Sequence, residues 1–396
     1  MEIIRKHYIN WLNSQKSNNS IKVLTGIRRI GKSTILEQYK KTLIKENVIE
    51  FNFNDPNLAS LNAKELYNII IKQSLSNKIN YVFLDEVQEV KEFEKCVIGL
   101  FENKKIKFDI FITGSNSHMF SKELATLMTG RTSEIQVFPL TYKELKENKN
   151  NLDLTKYLKY GGLGIVYGVY DKEEEIKKWL KKVFNDTIFR DIKSRHKIKN
   201  IESFNSIVNY VFSHIGKRIS ASNLEKYLKS NKEQNVSKDT IIKYFDWLTQ
   251  VFLLQKIKYY DIVGKKKLLL KNKYYATDLG ILSTNISFDL NFLKGIRLEN
   301  LVLLHLQFLG YEVYTYENPV NKQEIDFICE KDDDFVYIQV CDILTQENYS
   351  RESRSLLSVK NNFKKVIICN KIEIPKNTDG ISIIILEDWL SDKISL

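Results

Sequence analysis

The chain has 396 residues, of which 43% are hydrophobic and 28% charged, with a formal net charge of +12. This length favours two or three domains, and the balance is that of an ordinary globular protein rather than a disordered one. No stretch is apolar and uncharged for long enough to span a bilayer, which excludes a helical membrane protein.

The N-terminal segment MEIIRKHYINWLNSQKS lacks the apolar core and cleavage site of a secretory signal, so a cytoplasmic location is expected. The first 140 residues then alternate apolar strands with helices: IKVLTG, a helix from Lys32, VIEFNF, a helix near Leu61 to Ser74, YVFLDE, a helix near Phe93 to Phe101, and FDIFITGS. That rhythm predicts a parallel α/β sheet with crossover helices, its short strands apolar because both faces are covered. Beyond Pro139 the pattern turns helical, with a glycine-rich break at Gly161, Gly162 and Gly164 and a polar helix from Lys172. From Ile201 three helices follow, at 201–215, 221–228 and 238–253, with Ser220 and Ser237 at their N-cap positions. KIKYYDI and KLLLKNKYYAT then suit a hairpin, and three helices with a basic hairpin make a winged-helix pattern. From Asp289 a helix precedes the strands EVYTYE, EIDFICE, FVYIQVC, KKVIICN and ISIIILE, a second α/β unit. The expected domains are a P-loop ATPase module (1–140), a helical lid or linker (141–200), a winged helix (201–288) and a tail (289–396).

The chemistry concentrates near the start. Gly26 to Ser33 reads GIRRIGKS, the GxxxxGK[ST] spacing in which backbone N–H groups of a tight loop face phosphates. Gly26, Ile27, Arg28, Arg29, Ile30, Gly31, Lys32, Ser33 and Thr34 are therefore the candidate ATP-binding residues. Lys32 would reach the β- and γ-phosphates and Ser33 would ligate Mg²⁺. YVFLDE delivers Asp85 and Glu86 to the carboxyl end of a strand, where parallel sheets bind ligands. Asp85 would hold Mg²⁺ through water and Glu86 would polarise the attacking water. FDIFITGSNS ends in Thr113, Ser115 and Asn116; the last two are the candidates for contacting the γ-phosphate or the water. Arg28, Arg29 and Arg131 are the arginines available to steady transition-state charge.

These residues resemble the predicted AAA+ type P-loop ATPases of bacteria and archaea that carry a C-terminal region of uncharacterised function. The resemblance rests on GIRRIGKS, LDEVQ, ITGSNS, TGR at Thr129 to Arg131, YGG at Tyr160 to Gly162, RDI at Arg190 to Ile192, KYYATDLG, RLEN, EIDF and IQV. Gly164 departs from it, standing where such proteins often have proline. The resemblance implies ATP and Mg²⁺ binding, a winged helix, and a tail similar to PD-(D/E)xK nucleases. Glu299 and Asp326 match two acidic positions of such nucleases, but Gln339, Val340 and Cys341 stand where an acidic residue, a spacer and a lysine belong. The tail is therefore expected to be catalytically degenerate.

The four cysteines, Cys96, Cys329, Cys341 and Cys369, form no CxxC pair and signal neither zinc nor a disulfide framework. The positive charge suits a polyanion, and Lys265, Lys266, Lys267, Lys271 and Lys273 on the hairpin are the candidate nucleic-acid contacts. Three functions follow in order: an ATP-driven switch or motor acting on DNA or a DNA-bound complex, a signalling or defence-type ATPase that recruits a protein partner, and a metal-dependent nuclease. The partners in view are ATP, DNA, a protein and further copies of the chain in a homo-oligomer, with no membrane.

Overall fold

In the computed structural model the chain forms two units, residues 1–137 with 250–252 and residues 138–249 with 253–396. Described are residues 3–58, 60–117, 130–149, 152–170, 172–230, 236–262, 266–318, 320–375 and 377–396.

The first unit carries α1 (Lys6–Ser14), β1 (Ile21–Thr25), α2 (Lys32–Lys40), β2 (Asn47–Asn52), α3 (Ala63–Gln73), β3 (Ile79–Asp85), α4 (Phe93–Phe101), β4 (Lys107–Gly114) and β5 (Thr132–Gln136). All five strands are parallel, in the order β2-β3-β4-β1-β5. Successive side chains of β3 point to opposite faces, and each face finds an apolar partner. Val82 and Leu84 join Leu66, Ile70, Val97 and Leu100 of α3 and α4, while Phe83 stacks on Phe111, which meets Tyr39 of α2. Each such burial contributes about 1.5–3 kcal/mol. The helix starts are specified locally: Asn62 and Glu65 form a capping box at α3. β4 lies between β1 and β3, so the strand after YVFLDE is inserted between the two nucleotide motifs.

The second unit begins with α5 (Tyr142–Asn148), α6 (Leu154–Tyr160), α7 (Glu173–Asp186) and a π-helical turn over Thr187–Lys193. Then come α8 (Ile201–Ser213), α9 (Ala221–Ser230), α10 (Lys238–Gln250), β6 (Leu254–Asp261), β7 (Lys266–Ala276), α11 (Leu279–Asn285) and α12 (Lys294–Phe308). The rest is β8 (Glu312–Glu317), β9 (Glu324–Lys331), β10 (Asp334–Leu344), α13 (Gln346–Leu357), β11 (Lys364–Ile372), β12 (Asn377–Thr378), β13 (Ile381–Ile385) and α14 (Leu386–Leu390). Ser220 and Ser237 accept from Asn223 N and Thr240 N at the starts of α9 and α10. The hairpin does not end the helical region as a free wing. β6 bridges β8 at Tyr259 and Thr315, giving one eight-stranded sheet in the order β12-β13-β11-β10-β9-β8-β6-β7. The sequence boundaries at 200 and 288 both fall inside this unit.

Two sequence motifs far apart meet here as one contact. Asp278, the N-cap of α11, accepts hydrogen bonds from Gly280 N (2.8 Å), Ile281 N (3.0 Å) and Gly162 N (2.8 Å). A Cβ on Gly162 would lie 2.3 Å from Leu140 O, so the YGG turn must be glycine there. Asn300 of RLEN brackets Ala276, accepting from its N–H and donating to its C=O, both at 2.8 Å. These motifs act as clamps.

Asp278→Ala would strand three buried N–H groups at about 1–3 kcal/mol each, so urea unfolding should show a loss of several kcal/mol. Burial pushes the Asp278 carboxyl up to about 6, outweighing the hydrogen bonds that favour its charge. The folded state then binds the proton more tightly than the unfolded one. This group's contribution is full below about pH 4, falls as pH rises to about 6, and is flat above. The melting deficit of Asp278→Asn, which does not titrate, should therefore be smaller at pH 7 than at pH 4.

Among the described residues no helix is long and apolar enough to cross a membrane.

Candidate functional site

The loop after β1 is shaped by its backbone. Gly26 has φ 150°, and a Cβ there would lie 2.7 Å from Val137 O, leaving no room for a side chain. Ile27 and Ile30 are buried and anchor the loop from below, while Arg28 is half-buried and Arg29, exposed, adopts φ 66°. Gly31, at φ 101°, is the N-cap of α2, whose first-turn N–H groups have no helical acceptors. A helix start of this kind favours phosphate oxygens.

Three strand ends bring the charged groups together. Lys32 is buried, its Nζ donating to Gly26 O (3.0 Å) and Ile27 O (3.3 Å), and lies 3.2 Å from Glu86 Oε1. Ser33 Oγ donates to Asp85 Oδ2 at 2.6 Å. Thr113 Oγ1, at the end of β4, donates to Asp85 Oδ1 (2.5 Å) and accepts from Glu86 N (2.9 Å). Glu86 sits at φ 55°, a left-handed conformation uncommon outside glycine and often found at functional sites. Gln88 Nε2 donates to Glu86 Oε2 (2.5 Å) and to Ser115 Oγ (3.4 Å). Burial alone would raise the Glu86 carboxyl. The Lys32 charge, the Gln88 hydrogen bond and the Arg28 charge together outweigh it and hold Glu86 below the usual carboxylate range. The paired hydroxyl and carboxylate oxygens of Ser33 and Asp85 are the hard donors that Mg²⁺ prefers, so the site fits that ion.

The structure departs from the sequence expectations at Arg131 and Lys273 and adds Thr113 to the site. Ser115 and Asn116 are buried beside this cluster, and Thr34 is exposed on the first turn of α2. The residue of β4 that touches both Asp85 and Glu86 is Thr113, two positions before Ser115. Only the strand register, with Leu84 opposite Ile112, reveals it. Arg131 is the first correction. Its carbonyl accepts from Ile21 N at the amino end of β1, and its guanidinium lies 2.8 Å from Glu102. Five strand residues at ~3.3 Å each, roughly 16 Å, separate it from the loop, so it does not reach phosphates bound by its own chain.

The second correction is Lys273. Its side chain is 3% exposed and donates to Glu324 Oε2 at 2.7 Å, so it is withheld from an external phosphate. Lys265 lies outside the described residues, as do the side chains of Lys266, Lys267 and Lys271. In the tail, Glu299 of α12 accepts from Tyr275 Oη (3.1 Å), and Asp326 of β9 accepts from Val340 N (2.8 Å). Burial raises both carboxyls, Asp326 adding to the effect on Glu299. Burial would lower the Lys273 ammonium, but Glu299, Glu324 and Asp326 together hold it above its usual range. Lys273 of β7 thus lies within the field of three carboxylates. Gln339 contacts Ser355, and Cys341 is the register partner of Cys369. Among the described residues no group of three or more His, Cys, Asp or Glu is placed to hold a metal ion.

A family model described as the AAA domain matches residues 18–146, and one for a domain of unknown function, DUF8612, matches residues 151–291. An uncharacterised protein of Haemophilus influenzae is 33% identical over 410 residues, covering 98% of each chain. A second, from Methanocaldococcus jannaschii, is 33% identical over 390 residues, covering 93% of this chain and 85% of that one. Among solved structures, a Walker-type ATPase of Pyrococcus abyssi superposes with a TM-score of 0.53 at 14% identity. The match covers 72% of this chain and 95% of that one, a likeness of fold.

Proposed function

Because this chain belongs to the AAA-type P-loop ATPases, we propose that residues 26–34 bind ATP with Mg²⁺ and that Asp85 and Glu86 support its hydrolysis. The observation carrying this reading is the convergence of Lys32, Ser33, Asp85, Glu86 and Thr113 at the carboxyl ends of three neighbouring strands. The loop N–H groups and the α2 start cradle the phosphates, and Lys32 adds its charge to the β- and γ-oxygens. Ser33 and Asp85 would hold Mg²⁺, which when bound would supply Lewis-acid neutralisation of phosphate charge. Thr113 keeps Asp85 in place. Glu86, held ionised, orients water for attack, while Gln88 fixes its rotamer. Ser115 and Asn116 would contact the γ-phosphate or the attacking water, a reading supported by their burial just beyond β4.

Hydrolysis is proposed to drive a switch or motor acting on DNA or a DNA-bound complex in the cytoplasm, with the three helices and hairpin serving as a winged helix. Its supports are the net charge of +12 and the lysine run 265–267 at the hairpin. Cleavage by the tail is not proposed, because Lys273 is committed to Glu324 and β10 offers Gln339 where a metal-binding carboxylate belongs and Cys341 where the lysine belongs. The test is ATP turnover with and without duplex DNA, RNA and single strands. Nucleic acid should raise turnover in a salt-sensitive manner, and changing Lys265, Lys266 and Lys267 to glutamate should remove the stimulation. Unchanged, slow turnover with a persistent ATP-bound state would overturn this role in favour of a partner-recruiting ATPase.

A further inference from the structure

The eight-stranded sheet carries an aromatic groove of about 530 Å³ that takes no part in the nucleotide chemistry. Tyr260, Tyr316, Phe335, Tyr337 and Phe363 line it, with Lys360 as its charged member. The rings form a chain of close neighbours. Tyr260 and Phe335 have centroids 5.7 Å apart, Phe335 and Phe363 5.2 Å, and Phe363 and Tyr337 6.2 Å.

The groove exists because a core stops short. Tyr316 and Tyr337 belong to a core closed by Leu356 of α13, and that helix ends at Leu357. The following segment, 358–363, becomes a rim, tied down by Asn361 Nδ2 donating to Tyr337 Oη at 2.9 Å. Phe363 is left 40% exposed on this rim. The rim is basic: Lys360 is exposed, and Lys365 Nζ donates to Asn361 O at 2.9 Å. Asp261 and Glu330 occupy neighbouring strand positions but do not line the groove.

We infer that this groove binds an unpaired nucleobase of a single nucleic-acid strand, stacked against the aromatic chain, with the adjoining phosphates on the lysine rim. Rings offer a face to any base, so such a site is tolerant of sequence and depends on the base being unpaired. A duplex keeps its base faces stacked inside and has nothing to insert. Backbone charge on the rim makes the interaction fall with salt. An apolar protein segment would instead place its side chains against Lys360 and Asn361, a poorer match. The inference deepens the nucleic-acid role proposed above and rests on it.

The test uses the full chain and a fluorescently labelled oligothymidylate of about a dozen nucleotides, followed by anisotropy at low salt. Phe363→Ala should weaken binding by about tenfold or more, Phe363→Trp should retain it, and basal ATP turnover should be unchanged in both. Lys360→Glu should weaken binding and flatten its salt dependence. Equal affinity in Phe363→Ala overturns the inference, as does blunt duplex binding equally well. Competition by thymidine monophosphate as effective as that by unlabelled strand overturns it in favour of a free nucleotide. If the variant with glutamate at 265–267 loses binding while Phe363→Ala does not, the groove fails and the basic hairpin stands. If no nucleic acid binds at low salt, both fail.

Discussion

Lys32→Ala should lower ATP turnover by at least about 100-fold, the usual consequence of removing one preorganised charge from a phosphate site. The structure also predicts a second effect. Lys32 Nζ holds Gly26 O and Ile27 O, so it ties the loop to the start of α2 as well as meeting phosphate. Glu86 would lose the counter-charge that opposes its burial, and its carboxyl should titrate at higher pH in the variant. Far-UV circular dichroism and thermal melting separate these effects from misfolding. Ile27, Ile30 and Ile35 anchor the loop and the first turn of α2 without the lysine, so the variant should fold. Binding of a fluorescent ATP analogue should be lost along with phosphate release. Retained turnover in a folded variant would remove the loop from the mechanism.

Local patterns made the first unit legible. IKVLTG, GIRRIGKS and the following amphipathic stretch specify strand, loop and helix from neighbouring residues, and the structure has β1, the loop and α2 in those places. The position of Asp85 and Glu86 at the carboxyl end of β3 was legible because the strand is apolar from Tyr81 up to the two carboxylates. Thr113 was not, because its role depends on register between β3 and β4, residues 28 apart in sequence. Arg131 misled because spacing along the chain does not say at which end of a parallel strand a residue emerges. Lys273 looked like its hairpin neighbours, yet strand position turned it toward Glu324 rather than outward. The joining of β6 to β8 and the Asp278 clamp on Gly162 are likewise contacts between distant segments. No composition or periodicity encodes them locally.

Glu86→Gln should preserve ATP binding while slowing hydrolysis by about 10²–10⁴-fold, the range expected when a positioned general base is removed. The substitution keeps shape and can keep one hydrogen bond with Gln88, so Asp85, Thr113 and Ser33 should hold their arrangement. What disappears is the negative charge 3.2 Å from Lys32. The lysine then has no carboxylate competing with the γ-phosphate, and affinity for ATP should equal or exceed that of the wild type. Single-turnover hydrolysis and equilibrium binding of the same analogue give the two quantities separately. A turnover within about twofold of the wild type would reduce Glu86 to an ion-pair partner of Lys32 and leave the base to be sought elsewhere. Weakened ATP binding would mean that the pair positions the loop before chemistry begins. Slowed hydrolysis with intact binding assigns the charge to the water. The αL backbone of Glu86 is then explained as well, since that conformation and the Thr113 hydrogen bond to its N–H together fix where the carboxylate is presented.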